Sequence, residues 1–166
     1  DGALSATLRV ETGGAASDVL GRAFIVHGHD GGRVACALLT EAASSACAES
    51  LSLSASGFVP YPGYGGELCV SGTVKVTTSG TKQTIEMDFA GLDPACSTGA
   101  DPDTANSCGV HIHSGKTCSD HSLVGGHYYT GAVTSDPWTK VAYTSYDGTY
   151  TSTVDVTTGG DAAAVD

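Results

Sequence analysis

The chain has 166 residues, which is enough for one domain with a single hydrophobic core. It carries 18 Asp and Glu against 7 Lys and Arg, and its net charge of −11 argues against nucleic acid or an anionic membrane as a partner. Glycine is abundant, with 23 residues, and only 15% of the residues are charged, which is typical of short strands joined by glycine-rich turns.

The first predicted strand, near residues 4–10, alternates apolar and polar residues, so one of its faces should be buried. A pair of strands joined by a tight turn at 29–31 follows, and the later strands include two predicted neighbours around loop 59–66. In chain order, the remaining predicted strands are 21–28, 32–39, 49–57, 67–80, 81–92, 108–115 and 139–148, the last running into a final strand. About eight or nine strands and no convincing helix predict an all-β fold, either a Greek-key barrel or a sandwich.

The two ends of the chain repeat each other. Residues 1–20 align without gaps to 147–166, and the identical residues include the turn pairs Asp-Gly and Gly-Gly. Chance similarity between two strands of one sheet is the alternative, but alternation alone does not produce matching turns. The repeat therefore indicates a piece of a tandem array with a period of 146 residues, the distance from Asp1 to Asp147.

Six cysteines in a small β-rich chain predict disulfides and an oxidising compartment, and hence a secreted or cell-surface protein. Their number alone leaves the pairing open, although Cys96 and Cys108 are placed to tie together the ends of the long polar loop 93–107. The sequence has no C-x-x-C pair of the kind found in zinc ribbons. It also has no apolar run long enough for a membrane span.

The histidines are the candidate metal ligands. His111 and His113 form an H-x-H pair on the predicted strand 108–115, and positions i and i+2 of a strand share one face. His127 follows a Gly-Gly pair in the next loop, and His27 ends an apolar strand. Three or four imidazoles without a thiolate suit copper or zinc, and four nitrogens in a tetragonal array favour Cu(II).

Other polar candidates are predicted to be surface groups. His29 and His121 both lie in polar turns, where a solvated side chain is expected. Four aspartates match no calcium-binding loop and are predicted to lie in solvated turns: Asp93, Asp101, Asp103 and Asp136.

Three motifs resemble the Cu/Zn superoxide dismutase family. V-H-I-H at 110–113, followed by a cysteine-containing loop and G-G-H-Y at 125–128, resembles the family's copper-binding strand and loop. G-R-A-F-I-V-H at 21–27 resembles the strand with the fourth copper ligand. G-R-V-A-C-A-L-L at 32–39 resembles the strand with the active-site arginine and a disulfide cysteine. The resemblance implies a superoxide dismutase-like Greek-key β-barrel.

The order of these motifs is rotated relative to the family, since the last two motifs come first. Together with the repeat, this order resembles a frame-shifted or circularly permuted unit of the copper-only superoxide dismutase-repeat proteins. The expected domain is a single barrel over 1–166, in which 1–39 completes a barrel otherwise formed by 49–160. Neighbouring repeats of the same chain are then expected partners, and which copy of the duplicated strand fills the barrel is left open.

Carried over by position, the resemblance implies one copper ion bound by four residues: His27, His111, His113 and His127. It implies that Arg33 is the guanidinium that orients superoxide. It also implies that the disulfide Cys36–Cys118 anchors the loop between the H-x-H strand and His127. The remaining cysteines would then form two local disulfides, Cys96–Cys108 and Cys47–Cys69.

The sequence departs from the family at the zinc site and at one loop. The family's zinc site needs two more histidines and an aspartate after the bridging histidine, but no histidine follows His127, so zinc is not expected. Only residues 28–32 separate His27 from Arg33, so the family's long charged loop is missing. An open copper site is therefore expected.

Two functions from different classes follow from the sequence. The first is an oxidoreductase that dismutates superoxide to dioxygen and hydrogen peroxide, with Lys116 as a candidate for local steering of the anion. The second is a non-catalytic extracellular β-barrel module of a tandem-repeat protein, which binds copper or serves only as structure.

Overall fold

The structure is a computed structural model that describes residues 2–42, 52–79, 81–131 and 133–145, together with the backbone of 151–155. The chain forms two β-sheets with a few short helical turns, so the prediction of an all-β fold is confirmed. Among these residues, no helix has the length and apolar character needed to cross a membrane.

A six-stranded sheet has the strand order β10-β1-β8-β7-β5-β4. Adjacent strands in this sheet run antiparallel, except that β10 lies parallel to β1. The strands of this sheet are β1 (Gly2–Glu11), β4 (Thr40–Glu41), β5 (Ser52–Ser56), β7 (Ser71–Ser79), β8 (Lys82–Leu92) and β10 (Thr151–Asp155).

A four-stranded antiparallel sheet has the order β6-β3-β2-β9. Its strands are β2 (Ala23–His27), β3 (Arg33–Leu38), β6 (Val59–Pro60) and β9 (Val110–Ile112). The predicted pairing of the strands at 49–57 and 67–80 is also found, as β5 beside β7.

The core lies between the two sheets. On β8, alternate residues are buried, among them Ile85, Met87 and Phe89, while charged residues between them face solvent. This is the pattern of a strand with one buried face. Phe24 of β2 and Ile112 of β9 are fully buried in the same apolar cluster, so the two sheets share one core.

The structure departs from the predicted elements at several places. Short helices occur at α1 (Ala16–Val19) and α2 (His121–Val124), and a 3₁₀ turn spans Pro94–Thr98, where no helix was expected. The predicted strand at 139–148 does not form within 139–145. The Val141 amide bonds to the Trp138 carbonyl in a turn, and the Ser145 amide bonds to Cys96, so both amides are used outside a strand ladder. Positions 146–148 lie outside the described residues.

Candidate metal centre

Strands β2 and β9 bring together histidines that are far apart in the sequence. His111 lies on β9, and its neighbour across the sheet is Ile25 of β2. His27 is the last residue of β2, and a register shift in the ladder precedes it. His113 follows β9 and forms an isolated antiparallel bridge with His127. The sheet therefore gathers all four predicted ligands at one place.

The four imidazoles form one compact cluster. His27, His111 and His113 are 1% exposed, and His127 is half-buried. Ring centroids lie 4.2 Å apart for His111 and His127, 4.9 Å for His27 and His111, and 5.2 Å for His113 and His127. One nitrogen from each ring lies within 4.8 Å of the others. Two nitrogens on opposite sides of an ion at about 2.0 Å would be about 4 Å apart, so the cluster has the size of a metal site.

The outer nitrogen of each ring is fixed by a hydrogen bond. Three rings donate an N–H to backbone carbonyls: His27 Nδ1 to Gly31 at 2.9 Å, His111 Nε2 to Val141 at 3.0 Å, and His113 Nδ1 to Gly125 at 3.0 Å. A carbonyl only accepts, so each ring must be protonated at that nitrogen. The other nitrogen then keeps its lone pair for a metal, as is usual for ligating histidines.

The inner nitrogens give the site the capacity to hold an ion. His27 Nε2, His111 Nδ1 and His113 Nε2 are buried and have no hydrogen-bond partner. An unsatisfied buried polar group costs roughly 1–3 kcal/mol, and three of them facing one space are rare in a folded protein. Their lone pairs fit a cation, so the residues present can hold a metal ion.

Asp136 is a site residue that the sequence did not reveal. It was predicted to lie in a solvated turn, but its Oδ2 accepts a hydrogen bond from His127 Nδ1 at 2.7 Å. Its Oδ1 accepts from the amide of Trp138 at 2.9 Å, which holds the carboxylate in place. Asp136 thus orients His127 with Nε2 as its remaining nitrogen. No sequence motif links the two residues, which are nine positions apart.

Two glycines make room for the site. A Cβ at Gly109 would lie 2.4 Å from Cε1 of His111, so only glycine lets that ring lie against the backbone. Gly125 has a φ of 73°, a conformation that favours glycine, and its carbonyl accepts the His113 hydrogen bond. Gly125, the first glycine of the Gly-Gly pair before His127, is therefore part of the ligand geometry.

Arg33, the predicted anion-orienting residue, borders the cluster. It lies at the start of β3 directly across from His27. Its Nη2 donates to the Gly125 carbonyl at 2.8 Å, the same oxygen that accepts from His113. Its Nη1 donates to the Tyr61 hydroxyl at 2.6 Å. The guanidinium is thus held next to the histidines by two fixed contacts.

Tyr61 is a second site residue that no sequence motif indicates. It is only 9% exposed and packs in a small apolar cluster that includes Cys36 and Val124. Its hydroxyl accepts from Arg33 and donates to the His121 carbonyl at 3.2 Å. Tyr61 was predicted to lie in a loop rich in Pro, Gly and Tyr, and nothing in that loop indicates its contact with Arg33.

Two disulfides are present among the described residues. Cys36–Cys118 joins β3 to the loop that carries Gly125 and His127, and Cys96–Cys108 closes the loop before β9. Within the same part of the chain, Cys69 is exposed and has no disulfide partner. Cys47 lies outside the described residues, so Cys47–Cys69 stays a prediction.

The other predicted surface groups lie away from the cluster. His121 and Lys116 are exposed, and His29 is half-buried, with its amide bonded to Asp93 Oδ2 at 2.8 Å. Asp93 accepts a turn hydrogen bond from the amide of Ala95, and Asp101 accepts from the amide of Asp103 and the hydroxyl of Thr104. None of these groups belongs to the metal-sized cluster, which among the described residues is limited to four histidines.

Burial makes the metal-free site sensitive to acid. It lowers the pKa of His27 to about 4 and that of His113 to about 3, and it lowers the pKa of His111 well below its usual value. These rings stay neutral in the folded chain, whereas an unfolded histidine takes up a proton below about pH 6.5. The unfolded state therefore binds more protons in this window, and folding stability is lost as the pH falls.

We expect the free energy of unfolding of the metal-free protein to fall between pH 7 and pH 5, by up to about 1.4 kcal/mol per pH unit for each such histidine. Urea unfolding at several pH values measures this effect. The variant His121→Ala, which alters an exposed histidine, should keep the same pH dependence. A urea midpoint that is flat or rises on acidification would contradict the burial of neutral imidazoles.

Comparison of the chain with protein-family models, with curated proteins and with solved structures finds no match. The site offers four imidazole nitrogens whose rings are fixed by outer hydrogen bonds, which suits a bound metal ion. The Arg33 guanidinium lies beside them, which suits a small anion.

Proposed function

We propose that this protein is a copper-dependent superoxide dismutase without zinc, built on a Greek-key barrel of the kind seen in the Cu/Zn superoxide dismutases. The observation that carries the proposal is the set of three buried imidazole nitrogens without partners that face a common space with the fourth ring. Arg33, tied through Gly125 to the same site, supports a small anion as the substrate.

The donor set supports copper. Within the described residues the cluster contains imidazoles alone, with neither a thiolate nor a carboxylate among its members. Imidazole ligands suit copper, and four of them suit Cu(II) in particular. A copper ion held by the four histidines would supply one-electron transfer in both directions. The overall reaction converts two superoxide ions and two protons to one dioxygen and one hydrogen peroxide.

The chain's own residues hold the ligands and the substrate. The carbonyls of Gly31, Val141 and Gly125 keep three rings in one tautomer, so the lone pairs face inward whether or not an ion is bound. Arg33 uses donors toward Tyr61 and Gly125, and a guanidinium has five N–H groups, so donors remain for an anion. A charge-assisted hydrogen bond from Arg33 would orient superoxide beside the metal.

His127 supports a single metal site. A histidine that bridges two metals must offer both ring nitrogens, but the Nδ1 of His127 donates to Asp136. The Asp136 carboxylate therefore occupies the side of His127 where a second metal would have to bind. No histidine follows residue 127 to provide further ligands for such a metal.

The direct test is a superoxide assay on the copper-loaded chain by pulse radiolysis, which needs no coupled indicator. We expect copper-dependent loss of superoxide that is absent from the metal-free protein. Tight copper binding with no catalysis would contradict the enzyme and leave the copper-binding repeat module as the function.

Tyr61→Phe should weaken anion binding without removing the metal. The change keeps the ring but deletes the hydroxyl that holds Arg33, and a hydrogen bond to a charged group contributes about 1.5–3 kcal/mol. Because Arg33 keeps its bond to Gly125, we expect a smaller loss, roughly three- to tenfold, in azide affinity and in kcat/KM. Titration of the copper-loaded protein with azide, followed by the copper spectrum, measures azide affinity separately from turnover.

The matched control for this change is Tyr64→Phe. The Tyr64 hydroxyl accepts from the Leu68 amide at 3.2 Å, and among the described residues Arg33 donates to Tyr61 and Gly125 instead, so the variant should bind azide as the wild type does. If Tyr61→Phe binds azide as tightly as Tyr64→Phe does, Tyr61 does not position the guanidinium.

Salt should affect turnover only weakly. The net charge of −11 repels an approaching anion, and added salt screens that repulsion, while the local positive charge of Arg33 is screened as well. We expect kcat/KM to be flat or to rise as the ionic strength increases. A clear fall would indicate a positive funnel that outweighs the charge of the whole chain.

A further inference from the structure

The repeat at the two ends of the chain meets in the six-stranded sheet. Residues 1–20, here called the first copy, include β1, which pairs with β8 along its whole length. Residues 147–166, here called the second copy, repeat that sequence. Their described part, the backbone of β10, lies parallel to β1 along its other edge. The place beside β8 is thus held by the first copy, and the second copy has a strand one position further out.

The two copies agree where the first copy is buried. Five residues of the first copy are buried: Leu8, Val10, Thr12, Gly14 and Val19. At the equivalent positions the second copy has the same residue four times, and it has Val154 in place of Leu8. All four exposed positions of the first copy differ in the second copy: Arg9, Ala15, Ser17 and Asp18. The match between the copies therefore follows burial in the place beside β8.

The Thr-Gly-Gly that ends the strand fits particular neighbours. Thr12 Oγ1 donates to Gln83 Oε1, and Gln83 Nε2 donates to the Gly14 carbonyl at 2.8 Å. Gly13 has a φ of 76°, and a Cβ there would lie 1.7 Å from the Thr130 carbonyl oxygen, so only glycine fits this position. The second copy repeats the Thr-Gly-Gly and so has the residues that these neighbours require.

The chain reaches the second copy at the right end of β8. The Ser145 hydroxyl donates to the Asp93 carbonyl at 2.7 Å. Asp93 follows Leu92, which is the partner of Gly2 at the start of β1. Gly148, the equivalent of Gly2, comes three residues after Ser145, a span of up to about 10 Å. The chain therefore enters the second copy beside the start of β1, and β10 runs in the direction of β1.

We propose that the place beside β8 accepts either copy, so that the second copy replaces the first within the same chain. The occupant is the chain's own 147–166, because this segment has the residues that the place buries and begins next to it. When β1 leaves, β10 moves sideways by one strand spacing, about 4.8 Å, to pair with β8. The folded unit is then 21–166 in place of 1–146, each one period of the repeat long.

This replacement leaves the histidine cluster in place. β2, which carries His27, pairs with β3 and β9, whereas β1 pairs with β8 and β10 in the other sheet. All four histidines lie between residues 21 and 145. The proposal is therefore independent of the proposed dismutation, and metal-free protein serves for its test.

The test is hydrogen–deuterium exchange of the full chain, measured by mass spectrometry of peptic peptides. Gly13→Val blocks the first copy, because a β-branched residue disfavours this φ and its Cβ meets the Thr130 carbonyl. Gly159→Val is the matched change in the second copy, at a position outside the described residues. Peptides from β8 report whether its edge is paired, and peptides from β2 and β9 report whether the rest of the chain is folded.

We expect Gly13→Val to lose protection in 2–11 while β8 and 151–155 stay protected. If the place were left empty, both would lose protection, because β1 is the shared neighbour of β8 and β10. Gly159→Val alone should exchange as the wild type does, since the first copy still holds the place. The double variant should lose protection in β8, either locally or by unfolding altogether.

Two results would overturn the proposal. In the first, Gly13→Val exposes β8 as much as the double variant does, so the second copy does not fill the place. In the second, Gly13→Val leaves 2–11 protected, so the second copy does not compete even with a first copy that is strained at its turn.

Discussion

A His113→Ala chain is expected to bind copper at least about 100-fold more weakly than the wild type and to lose superoxide dismutation. Residues that only support a ligand typically change metal affinity or activity 10–100-fold when mutated, and the loss of a ligand itself should exceed that range. Competition with a chelator of known copper affinity measures the binding, and pulse radiolysis measures the turnover. The change removes an unpartnered buried nitrogen but also the hydrogen bond to Gly125, so urea unfolding of the metal-free variant checks that it is folded.

His121→Ala is the matched control, because His121 is exposed and lies outside the histidine cluster. It should keep wild-type copper affinity and turnover. If the two variants bound copper equally well, the ion would sit somewhere other than the buried cluster, and the proposed site would be wrong.

Loss of the Cys36–Cys118 disulfide, in the double variant Cys36→Ala/Cys118→Ala, should give the largest change in stability. The bond closes a sequence separation of 82 residues, and in the chain-entropy model a loop of this size contributes about 4.5 kcal/mol. The same bond fixes the loop whose Gly125 carbonyl holds both His113 and Arg33. We therefore expect a lower urea midpoint together with weaker azide binding to the copper-loaded protein.

The second disulfide provides the comparison for this prediction. Cys96–Cys108 spans only 12 residues, so its removal should cost less, about 3 kcal/mol, and should leave azide binding nearly unchanged. Urea unfolding of both double variants gives the two values. A larger loss for the shorter loop would contradict the chain-entropy argument for Cys36–Cys118.

The parts of the site that sequence could predict are those that depend on strand periodicity. His111 and His113 share a face because side chains alternate along a strand, and His27 is recognisable because it ends an apolar run. The strands at 21–28, 32–39 and 81–92 are predicted for the same reason. Alternating or continuous apolar residues indicate a strand with one or both faces buried, whichever strands lie next to it.

The parts that sequence could not predict depend on contacts between distant loops. Asp136 reaches His127 from a turn, and Tyr61 reaches Arg33 across 28 positions with no motif in either segment. The strand predicted at 139–148 was wrong over 139–145, because the Val141 amide bonds within a turn and the Ser145 amide bonds to the distant Cys96 carbonyl. Ala142 makes an isolated bridge to Gly109 and no strand ladder. A strand pattern does not show whether a neighbour is free to pair with it.

The most direct test of the central claim is a copper titration of the metal-free chain followed by electron paramagnetic resonance. We expect one Cu(II) per chain with a single nitrogen-rich spectrum, and His27→Ala should change that spectrum because it removes one of the four ligands. Several weakly bound ions per chain, or a spectrum that His27→Ala leaves unchanged, would show that the four imidazoles do not act on one ion.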